Sequence, residues 1–142
     1  MSRVLSIDFG ARRTGLAVTD PLQIIPGGLC TVDTKDLLKF LREYVSKEPV
    51  ERFIVGLPKQ TNGADSDNLP RVRAFVGRLK SALPDIPVEM WDERFTSVMA
   101  HRTMLEAGLR KKDRQNKALV DEISATIILQ GWMESRSNGF SL

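Results

Sequence analysis

"VLSIDFGARRTGLAVTD", residues 4–20, contains two short apolar runs, 4–9 and 16–19, joined by a segment with two glycines and two arginines. Apolar runs separated by so short a glycine-bearing turn predict an antiparallel β-hairpin. Asp8 stands alone at the end of the first run. A carboxylate there can hold a metal ion, help to bind a nucleotide, or cap the turn at Gly10. The rest of the chain has to decide among the three.

Beyond the hairpin, a third strand over 27–32 follows a proline-flanked loop. Leu37, Leu38, Leu41, Tyr44 and Val45 recur at helical spacing, with Thr34 as the expected N-cap and Pro49 beyond the end. Residues 52–58 read as a short buried strand and "KQTNGADSDN", 59–68, as a polar loop. Asp67 or Ser66 should open the next helix, with Pro70 in its first turn and Leu69, Val72, Phe75, Val76, Leu79 and Leu83 on one stripe. A strand over 86–91 leads straight into "DER", 92–94. Thr96 or Ser97 then opens a helix through Val98, Arg102 and Leu105, with Gly108 as its C-terminal cap. A last helix covers 117 to 134, and 137–142 is expected as a frayed tail.

The expected order is thus β-β-β-α-β-α-β-α-α, with neither repeat nor linker. Strands alternating with helices favour parallel pairing, whereas the opening hairpin is antiparallel. The expectation is one α/β domain over residues 1–136, a mixed five-stranded sheet flanked by helices.

Composition agrees with a soluble globular chain: 142 residues, 42% hydrophobic and 27% charged. Cys30 is the only cysteine, so no internal disulfide is expected, and His101 is the only histidine. These two leave little support for a thiol nucleophile, a zinc site or a Ser-His triad. No apolar run approaches the roughly 20 residues of a membrane span. Asp8, Arg12 and Arg13 interrupt any signal-peptide core, so no membrane and a cytoplasmic location are expected. The net charge of +3 permits nucleic acid without requiring it. "LRKKDRQNK", 109–117, gathers Arg110, Lys111, Lys112, Arg114 and Lys117 around the single acid Asp113. That run is either a solvated loop or a strip of phosphate contacts.

In a sheet of this kind ligands collect at the carboxyl ends of parallel strands. Asp8 ends the first strand, Asp92 and Glu93 follow the last, and Asp121 lies near the start of the final helix. The order of elements could bring these acids together. Clustered carboxylates repel unless a cation compensates. Mg²⁺ or Mn²⁺ would suit oxygen ligands and leave room for phosphate oxygens, as phosphodiester cleavage requires. Each acid also has an ordinary task open to it, as a turn cap, an N-cap, or a charge at a helix start.

Four blocks together resemble the YqgF family, also called RuvX, over residues 4 to about 133. D-x-G-x-[KR]-[KR]-x-G-x-A matches Asp8, Gly10, Arg12, Arg13, Gly15 and Ala17. G-L-P with a following glycine matches Gly56, Leu57, Pro58 and Gly63. D-E-R-x-[ST]-[ST] matches Asp92, Glu93, Arg94, Thr96 and Ser97. The last block matches Lys117, Asp121, Ser124, Ala125, Ile128, Leu129 and Gln130. The resemblance implies an RNase H-like fold and a metal-dependent nuclease site formed by Asp8, the acid of "DER", and Asp121. Glu93 is preferred to Asp92, because its longer arm can reach back from just past the strand. The family is described as resolving Holliday junctions and as processing the 5′ end of pre-16S rRNA in ribosome biogenesis, so pre-rRNA or branched DNA is the expected partner.

On this reading Arg13 and Arg94 contact phosphate or orient carboxylates. Arg110, Lys111 and Lys117 add contacts that read no sequence. Gly10 and Gly15 let backbone approach the substrate, though a tight hairpin alone would explain both. The chain would act as a monomer or homodimer. The competing reading is a nucleic-acid-binding factor in ribosome assembly or transcription that does not cut. An actin-like ATPase or sugar kinase shares the D-x-G motif but needs two such domains, and 142 residues supply one.

Overall fold

The computed structural model describes residues 2–57, 68–92 and the helix 117–137. Its elements run β1 (Arg3–Asp8), β2 (Arg13–Thr19), β3 (Pro26–Asp33), α1 (Leu37–Lys47), β4 (Val50–Leu57), α2 (Leu69–Ala82), β5 (Val88–Asp92) and α3 (Lys117–Ser137). The strands form one sheet in the order β3-β2-β1-β4-β5. β1 is antiparallel to β2, and β2 to β3, whereas β4 runs parallel to both β1 and β5. This is the mixed five-stranded sheet that the hairpin and the later crossovers predict.

Alternation along the strands divides the core in two. Leu5, Ile7, Leu16, Phe53 and Val55 face α1 and α2, where they meet Leu37, Leu41, Val72, Phe75 and Leu79. Phe9 stacks on Phe75 there, ring centroids 5.0 Å apart. Val4, Ala17 and Ile54 point the other way, onto Ala125, Ile128, Leu129 and Trp132 of α3. Central strands buried on both faces read as nearly continuous apolar runs, which is why β1 and β4 are so plain in the sequence.

Some boundaries move, for physical reasons. β2 begins at Arg13 rather than at residue 16, because Arg13, Thr14 and Gly15 pair with Asp33, Val32 and Thr31. Thr34 does not cap α1. It starts a 3₁₀ turn, Thr34–Asp36, and gives its hydroxyl proton to the Gly10 carbonyl at 2.6 Å. α2 begins at Leu69 behind Asn68, whose amide donates to the Phe9 carbonyl at 2.8 Å. The expected openers Asp67 and Ser66 lie outside the described residues, as does the expected helix through Val98, Arg102 and Leu105. α3 continues to Ser137, the first residue of the expected tail, and 138–142 lie outside the described residues. Among the described residues no helix is long and apolar enough to cross a membrane.

Candidate active site

Asp8 is the last residue of β1, and its cross-strand partner on β2 is Gly15. It shares the parity of Val4, which packs on α3, and of Ser6, whose hydroxyl donates to the Ala125 carbonyl of α3 at 2.6 Å. Asp8 therefore belongs to the α3 face of the sheet. Gly15 lies on that face too. A Cβ built on it would come within 2.0 Å of the Asp121 carbonyl oxygen and 3.0 Å of the Asp121 Cβ. Only a residue without a side chain lets this turn of α3 settle onto β2. The same contact carries Asp121 to the strand position directly beside Asp8.

Arg13 fixes the second carboxylate. Its Nε donates to Asp121 Oδ2 at 2.8 Å, with side chains 39% and 24% exposed. An ion pair so open to water adds at most about 1 kcal/mol to stability. Its geometric effect is larger, since a charge-assisted bond to one oxygen restricts the carboxylate rotamer. The guanidinium is thereby tied to α3 across the sheet.

The turn after Asp8 is closed by a ring of hydrogen bonds. The Gly10 N–H points to the Thr14 hydroxyl at 3.5 Å, and Thr14 and Thr34 hydroxyls are 2.9 Å apart. Thr34 donates to Gly10, so Thr14 is the donor in the pair between them. The Thr34 N–H also donates to the Arg12 carbonyl at 2.9 Å. A Cβ on Gly10 would lie 2.2 Å from the Arg13 carbonyl oxygen. Both glycines thus make room for the chain's own backbone: Gly10 in its turn, Gly15 under α3. Thr14, Thr34 and Asn68, which the sequence did not single out for the site, hold the end of β1 in place.

Asp92 ends β5 and pairs with Leu57. Its parity is that of Val88 and Met90, which pack against the α1–α2 side of the core. Glu89 and Trp91 have the opposite parity: Glu89 accepts from the Trp132 indole of α3 at 2.6 Å, and Trp91 packs with the α3 cluster. Register thus sets Asp92 on the face away from Asp8. Glu93, Arg94, Arg110 and Lys111 lie outside the described residues. Lys117 opens α3, but its side chain is not among those described.

Asp8 and Asp121 offer hard carboxylate oxygens and no soft ligand, the donor chemistry that suits a divalent cation such as Mg²⁺ or Mn²⁺. Among the described residues no group of three His, Cys, Asp or Glu could hold a metal ion.

The chain is similar to known proteins along nearly its whole length. Residues 2–135 match a family described as "RuvX: Holliday junction resolvase". A protein of Bacteroides thetaiotaomicron named "Putative pre-16S rRNA nuclease" is 64% identical, with 96% of this chain and 99% of that protein covered. One of the same name from Porphyromonas gingivalis is 58% identical, covering 95% and 98%. Among solved structures, Thermus thermophilus RuvC in complex with a Holliday junction substrate superposes with a TM-score of 0.60. It is 16% identical, and 98% of this chain and 97% of that one are covered. That likeness shows the RNase H-like fold.

Proposed function

The chain belongs to the RuvX family, and on that premise we propose that it is a metal-dependent nuclease that processes the 5′ end of pre-16S rRNA. Asp8, Glu93 and Asp121 are its catalytic and metal-holding carboxylates. The observation that carries the reading is the seating of Asp121 on Gly15, the cross-strand partner of Asp8. It unites two acids 113 residues apart in a place where strand ends collect ligands. Ordinary turn or helix capping would not require that meeting.

Mg²⁺ or Mn²⁺ is the fitting ion and, when bound, supplies Lewis acidity for phosphodiester hydrolysis. The chain's own residues do the positioning. Arg13 holds Asp121 in one rotamer, and the Gly10–Thr14–Thr34 ring fixes the backbone that carries Asp8. The register of β5 puts Asp92 with Val88 and Met90 on the α1–α2 side, which supports Glu93 over Asp92 as the third donor. Arg94, Arg110, Lys111 and Lys117 contact phosphates irrespective of sequence, making binding salt-sensitive. The working unit is one domain over residues 1–136, acting in the cytoplasm.

The test is cleavage of a 5′-extended pre-16S fragment and of a four-way DNA junction, with Mg²⁺ and Mn²⁺, by wild type and Asp8→Asn. The expected result is metal-dependent shortening of the RNA by wild type alone, with Asp8→Asn still folded. Preference for the junction would replace the substrate. Tight RNA binding with no cutting under either metal would overturn the nuclease and favour a non-catalytic assembly factor.

A further inference from the structure

α2, with the sequence LPRVRAFVGRLKSA, carries Arg71, Arg73, Arg78 and Lys80 and no acid. The whole chain has a net charge of +3, so this one helix, at +4, exceeds it and the remainder nets −1. All four cations are exposed, while Val72, Phe75, Val76 and Leu79 anchor the opposite side of the helix in the core. The three ion pairs among the described residues, Arg3–Glu48, Arg13–Asp121 and Arg52–Glu89, use none of them. A rigid helix thus presents a concentrated positive charge to solvent, on the sheet face away from Asp8 and Asp121.

The relief of this surface is as distinctive as its charge. At 100° per residue, Ala74, Gly77 and Ser81 form the outermost line of α2, with Arg73 and Lys80 on one flank and Arg71 and Arg78 on the other. Beside that line a shallow groove of about 560 Å³ runs against α1, which contributes Leu38 and Arg42. Gly77 is in the helix interior, where glycine is unfavourable relative to alanine. A Cβ built on it would meet nothing within 4 Å, so no packing within the described chain calls for a glycine there. Close approach of an outside backbone would.

We propose that the α1–α2 face is a second RNA-binding surface that receives the phosphate backbone of a double-helical segment of the RNA processed at Asp8. This rests on the nuclease reading for the identity of the RNA, but not for the surface itself. Arginine guanidiniums match phosphate oxygens in pairs. The low, small-residue centre between two cationic flanks lets a sugar–phosphate strand lie close to α2, and double-helical RNA is recognised by its shape and backbone. Among the described residues no aromatic side chain lines the groove, and these residues offer no stacking platform of the kind a single-strand binder uses. A helix held here would keep the precursor on the protein while its single-stranded end reaches the opposite face.

The experiment uses the full chain and titrates a blunt RNA duplex, a DNA duplex of the same sequence and a single-stranded RNA against salt. It compares wild type, Arg73→Gln/Arg78→Gln and Gly77→Ala, with folding followed by circular dichroism. The double variant should weaken RNA-duplex binding at least tenfold and reduce the slope of log K against log salt by roughly two. Gly77→Ala should melt at a higher temperature than wild type yet bind the duplex more weakly, which a purely structural glycine would not do. Cleavage of a short substrate without a helix should be unchanged in both. Unaltered duplex binding, or equal losses on DNA duplex or single strand, would overturn the proposal. If wild type cuts nothing while the variants still lose duplex binding, the surface stands and the nuclease reading falls.

Discussion

The two faces of the sheet are packed in opposite styles. Beneath α1 and α2 the sheet offers Leu5, Ile7, Leu16, Phe53 and Val55, and large side chains from both helices fill the space between. Beneath α3 it offers Ser6, Gly15 and Ala17 beside Val4 and Ile54, and the helix comes so near that a Cβ on Gly15 would lie 2.0 Å from the Asp121 carbonyl oxygen. The first arrangement maximises buried apolar area, worth about 1.5–3 kcal/mol for each large side chain taken from water. The second also buries apolar side chains, and at Gly15 it gives up a side chain so that Asp121 settles against the cross-strand partner of Asp8. Both faces stabilise the domain, and the α3 face also carries Asp8 and Asp121.

This contrast can be broken most sharply at Asp8. Asp8→Asn should lower metal-dependent cleavage by more than roughly 100-fold, because even the outer partner of a metal ligand is worth about 10–100-fold. Its melting temperature should hardly move. Phe75→Ala, on the other face, should lower stability by about 3–5 kcal/mol in denaturant unfolding, while the folded fraction keeps its specific activity. Gly15→Ala should do both, costing about 1–3 kcal/mol through overpacking and lowering cleavage as α3 is pushed outward. A silent Gly15→Ala would remove the contrast. Arg13→Gln should reduce cleavage by about tenfold, roughly 1.4 kcal/mol in the barrier, with a stability change under about 1 kcal/mol.

The smallest effect belongs to a loop that serves neither face. The Asp20 carboxylate accepts the N–H groups of Ile25, Ile24 and Leu22, and these bonds, that from Ile25 foremost, hold its pKa below the ordinary 3.8. A depressed carboxylate contributes stability above its unfolded pKa and loses it as pH falls through the folded value. The stability difference between wild type and Asp20→Ala should therefore be constant at neutral pH and shrink only below about pH 4, as followed by thermal melts.

Much of the fold was legible because it is local. The hairpin announces itself in two apolar runs, and β1 and β4 in their unbroken hydrophobicity. The sequence also singled out Asp8, Asp121 and Arg13. It could not say why Gly15 is glycine, because the explanation is a helix 106 residues away. Nor does any local pattern reveal that Arg13 meets Asp121 across 108 residues, or that Asn68 reaches Phe9. Thr34 has the residue type and place of an N-cap, yet the chain makes a 3₁₀ turn there and α1 opens at Leu37 behind Asp36. The choice between Asp92 and Glu93 rested on side-chain length in the sequence. It sharpens once register assigns Asp92 to the α1–α2 face.

The proposed site stands on a shared role for Asp8 and Asp121 at one metal ion, in place of two separate tasks. Its most direct test is a double-mutant cycle, measuring single-turnover cleavage in saturating Mn²⁺ for Asp8→Asn, Asp121→Asn and the pair. Groups that act as a unit are strongly non-additive. The double variant should be no slower than the slower single one. If the two losses multiply instead, the carboxylates act independently and the shared site is wrong.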